Sequence, residues 1–221
     1  MKPKISHRIM PKAGNIPLMK VPDNLIQVIG ERMRLDRSRS EFFIRDLVLG
    51  WEINGLFEKK IVKHIGGKRL KAYNALKQEL AAEEDGDKLF ERLFVEKNIE
   101  TRSCIQKRLI ELDDKIYSRF LAKLKDAYSE ECYDTVFIAL GIIINKIDIS
   151  DGIIRLLKGN SIRNPADFSA LVQLLGYRKN ETNLRYLYTY YNFFVNNFED
   201  EDYYEGPVIG IRNFYDAVNG L

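Results

Sequence analysis

The 221-residue chain predicts a mainly α protein, in which a short N-terminal strand and two helices precede an all-helical domain. Three observations carry this expectation. A proline-punctuated segment over residues 16–22 runs straight into two amphipathic helical patterns. From residue 71 onward apolar residues recur at three- and four-residue steps almost without interruption. Positive charge is concentrated toward the N-terminus: residues 1–80 carry 17 Lys plus Arg against 8 Asp plus Glu, a net of +9, whereas residues 81–221 carry 18 against 24, a net of −6. The overall +3 conceals this polarity, and a basic half of this kind is the electrostatic footprint of a phosphate-binding surface.

The first 22 residues contain Lys2, Lys4, Arg8, Lys12 and Lys20 with no acid before Asp23, and Pro3, Pro11, Gly14 and Pro17 argue against regular structure. Such an arm lies along a DNA backbone or in the minor groove, or is a solvated leader. Ile16-Pro17-Leu18-Met19-Lys20-Val21-Pro22 is too short and too proline-rich for a helix and reads as a strand. Alternation places Pro17, Met19 and Val21 on the core side and Ile16, Leu18 and Lys20 on the outer side. Pro22 and Asp23 suit a helix start, and Leu25, Ile26, Ile29 and Met33 give the first helix its apolar stripe, which ends near Leu35. After Arg37-Ser38-Arg39-Ser40, where either serine can cap, Phe43, Leu47 and Trp51 define a second helix with Glu41, Arg45, Asp46 and Glu52 opposite.

Strand, helix and serine-capped helix, with Ser38-Arg39-Ser40-Glu41-Phe42-Phe43-Ile44-Arg45-Asp46 at the start of the last, resemble the ribbon-helix-helix family over residues 16–51. In that family two chains pair their strands into an antiparallel ribbon that enters the major groove, and the second helix's free N–H groups hold a phosphate. The resemblance implies a homodimer in which Lys20 contacts base edges, and Leu18 and Ile16 touch thymine methyls or sugars. Arg37, Ser38, Arg39 and Ser40 then lie at a phosphate, and the arm with Arg8 and Lys12 adds salt-dependent affinity. The implied function is sequence-specific binding of double-stranded DNA by a transcriptional regulator acting as a repressor. The chain departs from the family in its apolar Leu18 and Ile16, in Pro17, which removes a ladder donor, and in a shorter gap between Pro22 and the serine turn. Two rivals stand beside this reading: an accessory protein for plasmid or viral DNA partition, replication or transfer, and a helical protein-interaction module without DNA binding.

Residues 59–71 hold six Lys or Arg in 13 positions, with Gly66-Gly67 expected to interrupt the helix as a hinge or turn. The stretch reads as a soluble connector in preference to an extra phosphate contact. His64 reads as a solvated residue. The division that follows is a basic arm and DNA-binding domain over 1–55, a basic connector over 56–72 and a helical oligomerisation or partner-binding domain over 73–221.

In that last domain residues 71–84 form a polar helix, Gly86 breaks it, and Asp87 caps a helix bearing Leu89, Phe90, Leu93 and Phe94. Residues 101–128 form one long helix or a pair. Residues 133–147 are the most apolar stretch, too short for a membrane span of about 20 residues, and read as a buried central helix. Ser150 caps a helix ended by Gly159, and Asn164-Pro165 opens another closed by Gly176. Thr182 caps a helix whose stripe of Leu187, Tyr190, Tyr191, Phe194 and Phe198 has too few cations around it to stack bases and reads as core or a dimer surface. Residues 206–221 are a mixed apolar tail that docks on the domain or on a neighbouring chain.

Catalytic patterns are missing from the sequence. His7 and His64 sit in basic polar segments, no glycine-rich loop follows a strand, and no Ser or Cys nucleophile lies in an elbow. Glu199-Asp200-Glu201-Asp202 lacks the spacing of a metal loop. Cys104 and Cys132 read as reduced, buried thiols. The expectation is a non-enzymatic protein without cofactor or metal. It is cytoplasmic and nucleoid-associated with no membrane partner, and its partners are DNA, a second copy and a protein bound through the C-terminal domain.

Overall fold

The computed structural model describes residues 13–14, 16–33, 57–113, 115–126, 130–198 and 201–219. Among these residues every regular element is helical. The elements are α1 (Leu25–Met33), α2 (Phe57–Ala82), α3 (Gly86–Val95), α4 (Ile99–Leu112), α5 (Tyr117–Asp126), α6 (Glu130–Lys146), α7 (Ser150–Lys158), α8 (Pro165–Leu174), α9 (Glu181–Asn197) and α10 (Glu205–Asn219). Short 3₁₀ turns at Leu175–Tyr177 and Glu201–Tyr204 precede α9 and α10. The described residues fall into two compact units. One comprises those up to Met33 together with those from Ile144 onward, and the other those from Phe57 to Ile143.

The mainly α expectation agrees with this architecture, but the expected N-terminal strand is a correction. Residues 16–22 are irregular, extended chain, and no strand occurs among the described residues. The expected second helix with its serine turn lies outside the described residues.

In the second unit, α2 runs unbroken through Gly66-Gly67. Two glycines cost a helix about 2 kcal/mol relative to alanine, but the surrounding Lys, Leu, Ala and Gln are strong helix formers, and Tyr73 and Leu80 anchor the C-terminal half by burial. Asp85, two residues before the expected cap, accepts from the Lys88 N–H at 3.0 Å to start α3. The stretch expected as one helix or two is a pair, because Asp113 takes an extended conformation after α4 and its carboxylate caps the next turn at Lys115. Helices α3 and α5 meet through Phe90 and Phe120, whose centroids are 5.3 Å apart. Arg119 lies over Phe90 at 4.1 Å, and Lys123 over Phe94 at 5.0 Å. Helix α6 is the buried element expected over 133–147. Gln106 of α4 donates to its Thr135 carbonyl at 2.9 Å, and Val136, Phe137, Ala139 and Leu140 are fully enclosed.

In the first unit α8 is buried at Pro165 and from Phe168 to Leu174, polar Ser169 and Gln173 included. Asn164 caps it through the Ala166 N–H, and Pro165 fills the first turn, as the sequence indicates. Gly176 does not take the left-handed conformation of a terminating glycine. It sits in the 3₁₀ turn because Gly210 of α10 passes so close that a methyl at 176 would fall on the Gly210 backbone. Gly206 packs in the same manner on Ser169 of α8, whose hydroxyl accepts the Gly206 N–H at 3.1 Å. The residues 206–210 thus dock within their own chain, with Val208 and Ile211 buried. Asn180 caps α9 through the Thr182 N–H. The aromatic stripe of α9 is core: Tyr190 and Phe194 pack edge-on to Phe168 at 5.0 and 6.2 Å, and burial lifts the Tyr190 phenol far above its ordinary pKa. At the α6–α7 junction the Ser150 N–H donates to Asp148. Partial burial opposes charge on Asp148, yet hydrogen bonds from Ser150 and the Arg178 charge outweigh it and hold the carboxyl below its usual range.

Two outcomes follow. Gly176→Ala should lower stability by about 1–3 kcal/mol through overpacking against Gly210, read as a reduced urea midpoint at unchanged m-value. Because the folded pKa of Asp148 is depressed, its stabilisation is present above the ordinary carboxylate pKa and lost as pH falls through the folded value. Asp148→Asn should therefore lower stability at neutral pH and flatten the acid limb of the stability curve, the difference from wild type vanishing as pH falls below the folded pKa.

Candidate nucleic-acid interface

Burial at Tyr73 and Leu80, with Leu70 and Lys77 half-buried, fixes which side of α2 faces its own unit. The N-terminal half carries the charge. The helix holds seven Lys or Arg against two Glu, and Lys59, Lys63, Gly67, Lys68 and Lys71 are all exposed. Lys59, Lys63, Gly67 and Lys71 follow one another at four-residue steps and therefore form one ridge, about 18 Å long at 1.5 Å rise per residue.

Elsewhere in this unit four cations are paired: Arg92 with Glu79 at 3.3 Å, Arg119 with Asp87 at 2.9 Å, Arg108 with Glu111 at 3.5 Å, and Lys88 with Glu83. The Lys88–Glu83 hydrogen bond lowers the Glu83 pKa and raises that of Lys88. Among the described residues no ion pair involves Lys59, Lys63, Lys68 or Lys71. Their positive field is thus left to solvent and counterions, the condition in which a polyanion gains most by binding.

The site expected at the N-terminus is arranged differently. Met19, at the centre of the expected strand, spends both main-chain groups on α9 of its own chain. Its N–H donates to Thr189 Oγ1 at 2.9 Å, and its carbonyl accepts from Arg185 Nε at 3.5 Å. Those are the groups a ribbon ladder requires, so the inter-chain strand is overturned at this residue. The facing is altered in part: Met19 and Pro17 are exposed and Ile16 and Leu18 half-buried, whereas Val21 is half-buried in keeping with its expected core side. Ala13 is enclosed, Gly14 closes against the Lys158 carbonyl, and Leu25 and Ile29 are fully buried. Lys20 remains exposed. Arg8, Lys12, Arg37, Ser38, Arg39 and Ser40 lie outside the described residues.

Sequence reasoning found the charge of residues 59–71 but assigned it to a broken connector. The signal that identifies a surface is the four-residue repeat of Lys59, Lys63 and Lys71, which has meaning only if Gly66-Gly67 stays helical. Among the described residues no helix is long and apolar enough to cross a membrane. No protein-family model, curated protein or solved structure matches the chain.

The docking of residues 16–22 within one chain has a direct readout. Thr189→Val removes the acceptor for the Met19 N–H without changing side-chain shape, and a hydrogen bond of ~0.5–1.5 kcal/mol corresponds to roughly two- to thirteenfold faster amide exchange at Met19. Wild-type protection should be independent of protein concentration. Protection that rises with concentration and survives the substitution would restore pairing between chains.

Proposed function

We propose that this protein binds double-stranded DNA through its phosphate backbone, gripping it with the exposed Lys59, Lys63, Lys68 and Lys71 of α2. The observation that carries this reading is the exposed lysine ridge on a continuous helix, without carboxylate partners among the described residues. The basic polarity of residues 1–80 supports the same ligand. Lysine acts on phosphate as a point charge and carries no base information, so the grip is led by electrostatics and tolerant of sequence.

That feature favours a DNA-handling accessory role over an operator-specific repressor. The repressor reading drew its base selectivity from a ribbon that residues 16–22 do not form, since Met19's pairing groups are engaged on α9. A protein that coats or bridges DNA needs affinity over a length of duplex more than readout of a short site. The helical first unit then supplies the surface for a protein partner.

The test is a titration of a random-sequence duplex across salt concentrations. Four phosphate contacts give a slope of log K against log salt of about −3.6. Lys59→Ala, Lys63→Ala and Lys71→Ala together should reduce that slope by about 2.7, with affinity falling on all sequences alike. Absence of binding at low salt, or a slope unaltered by the triple variant, would overturn the proposal.

A further inference from the structure

Away from the lysine ridge, a cluster of polar groups in the first unit joins three segments that are distant in sequence. The Asp148 carboxylate accepts from the Ser150 N–H at 3.0 Å and from the Ser150 hydroxyl. Ser150 Oγ in turn accepts from Asn183 Nδ2 at 2.8 Å, and the same Nδ2 donates to the Leu175 carbonyl at 3.2 Å. That carbonyl also takes the Arg178 N–H at 3.4 Å, and the Arg178 charge acts back on Asp148. The α6–α7 junction, the 3₁₀ turn and the first turn of α9 thus close a ring.

Two atoms of the ring are left over. Arg178 Nε–H, a donor, and Asn183 Oδ1, an acceptor, are both enclosed and make no hydrogen bond, and Asn183 is fully buried. An enclosed donor or acceptor left unmade bears its whole desolvation penalty, so each such group asks for a partner. The two are complementary yet do not bond each other, although the Leu175 carbonyl holds their residues within two hydrogen bonds of one another.

We infer that one internal water molecule sits between Arg178 and Asn183, accepting from Arg178 Nε–H and donating to Asn183 Oδ1. The guest both accepts and donates, because one atom of each kind awaits it. It is neutral, because a cation would face the Arg178 guanidinium and an anion would face the Asn183 oxygen and the Asp148 carboxylate. Asp148 is the ring's remaining acceptor for its second hydrogen, which completes the roughly three bonds that an internal water makes. The water is then a structural part of the first unit, clasping the start of α9 to the α6–α7 junction.

NMR of the full chain tests this, with cross-relaxation from water read at the Arg178 Nε–H and at the Asn183 side-chain amide. Both groups should show a water cross-peak with the sign of a contact that outlasts molecular tumbling. Ser150→Ala removes the exchangeable hydroxyl through which such a signal can be relayed, and the Arg178 peak should survive it. Arg178→Met keeps the side-chain stem and removes the donor, so the Asn183 peak should be lost in that variant, with folding checked by thermal melting. No water peak at the Arg178 Nε–H of wild type, its disappearance in Ser150→Ala, or an Asn183 peak unchanged in Arg178→Met would each overturn the site. Should Arg178→Met fail to fold, the wild-type and Ser150→Ala spectra decide the question without it.

Discussion

A main-chain N–H can be given away once. Met19 donates its proton to the Thr189 hydroxyl and offers its carbonyl to Arg185, so the middle of the only extended N-terminal segment among the described residues is fastened to α9. With Gly14 seated on the Lys158 carbonyl and Leu25 and Ile29 buried, residues 13–14 and 16–33 are integral to the first unit. The fastening is intramolecular, so the segment adds core to its own subunit and contributes no ladder to a second one. No strand pairing is available at that residue, and among the described residues the exposed lysines that share a ridge are helical.

That surface follows from elementary helix geometry. Lysines four residues apart stand on one ridge only while the backbone remains helical, and continuity through Gly66-Gly67 converts a charge-rich stretch into an oriented face. Pairing completes the contrast, because neighbouring arginines in the same unit are spent on Glu79, Asp87 and Glu111 and the ridge lysines are not.

Much of the helical architecture was legible. Apolar periodicity located α3 to α9, whereas α10 was read only as an apolar tail, and Asn164-Pro165 marked the start of α8 to the residue. Caps elsewhere were displaced: Asp85 caps where Asp87 was expected and Asn180 where Thr182 was, because an Asx side chain reaches the N–H two or three residues ahead of it. Glycines were the ambiguous letters. Gly176 resembles a helix stop, yet it exists for Gly210, a contact 34 positions away that no local pattern encodes. Gly66-Gly67 resembles a hinge, yet anchoring by Tyr73 and Leu80 carries the helix through. The extended nature of residues 16–22 was legible; its partner was not, since a short apolar segment states only that it needs one. The candidate site was legible as charge and illegible as a surface, because a ridge is a property of continuous helix.

Lysine-acylation footprinting of the full chain, with and without a random-sequence duplex at low salt, tests the central claim most directly. Lys59, Lys63, Lys68 and Lys71 should lose reactivity when duplex is added, while the exposed Lys97, Lys146 and Lys179 keep theirs. Protection confined to Lys20, with the α2 lysines as reactive as in free protein, would contradict the account.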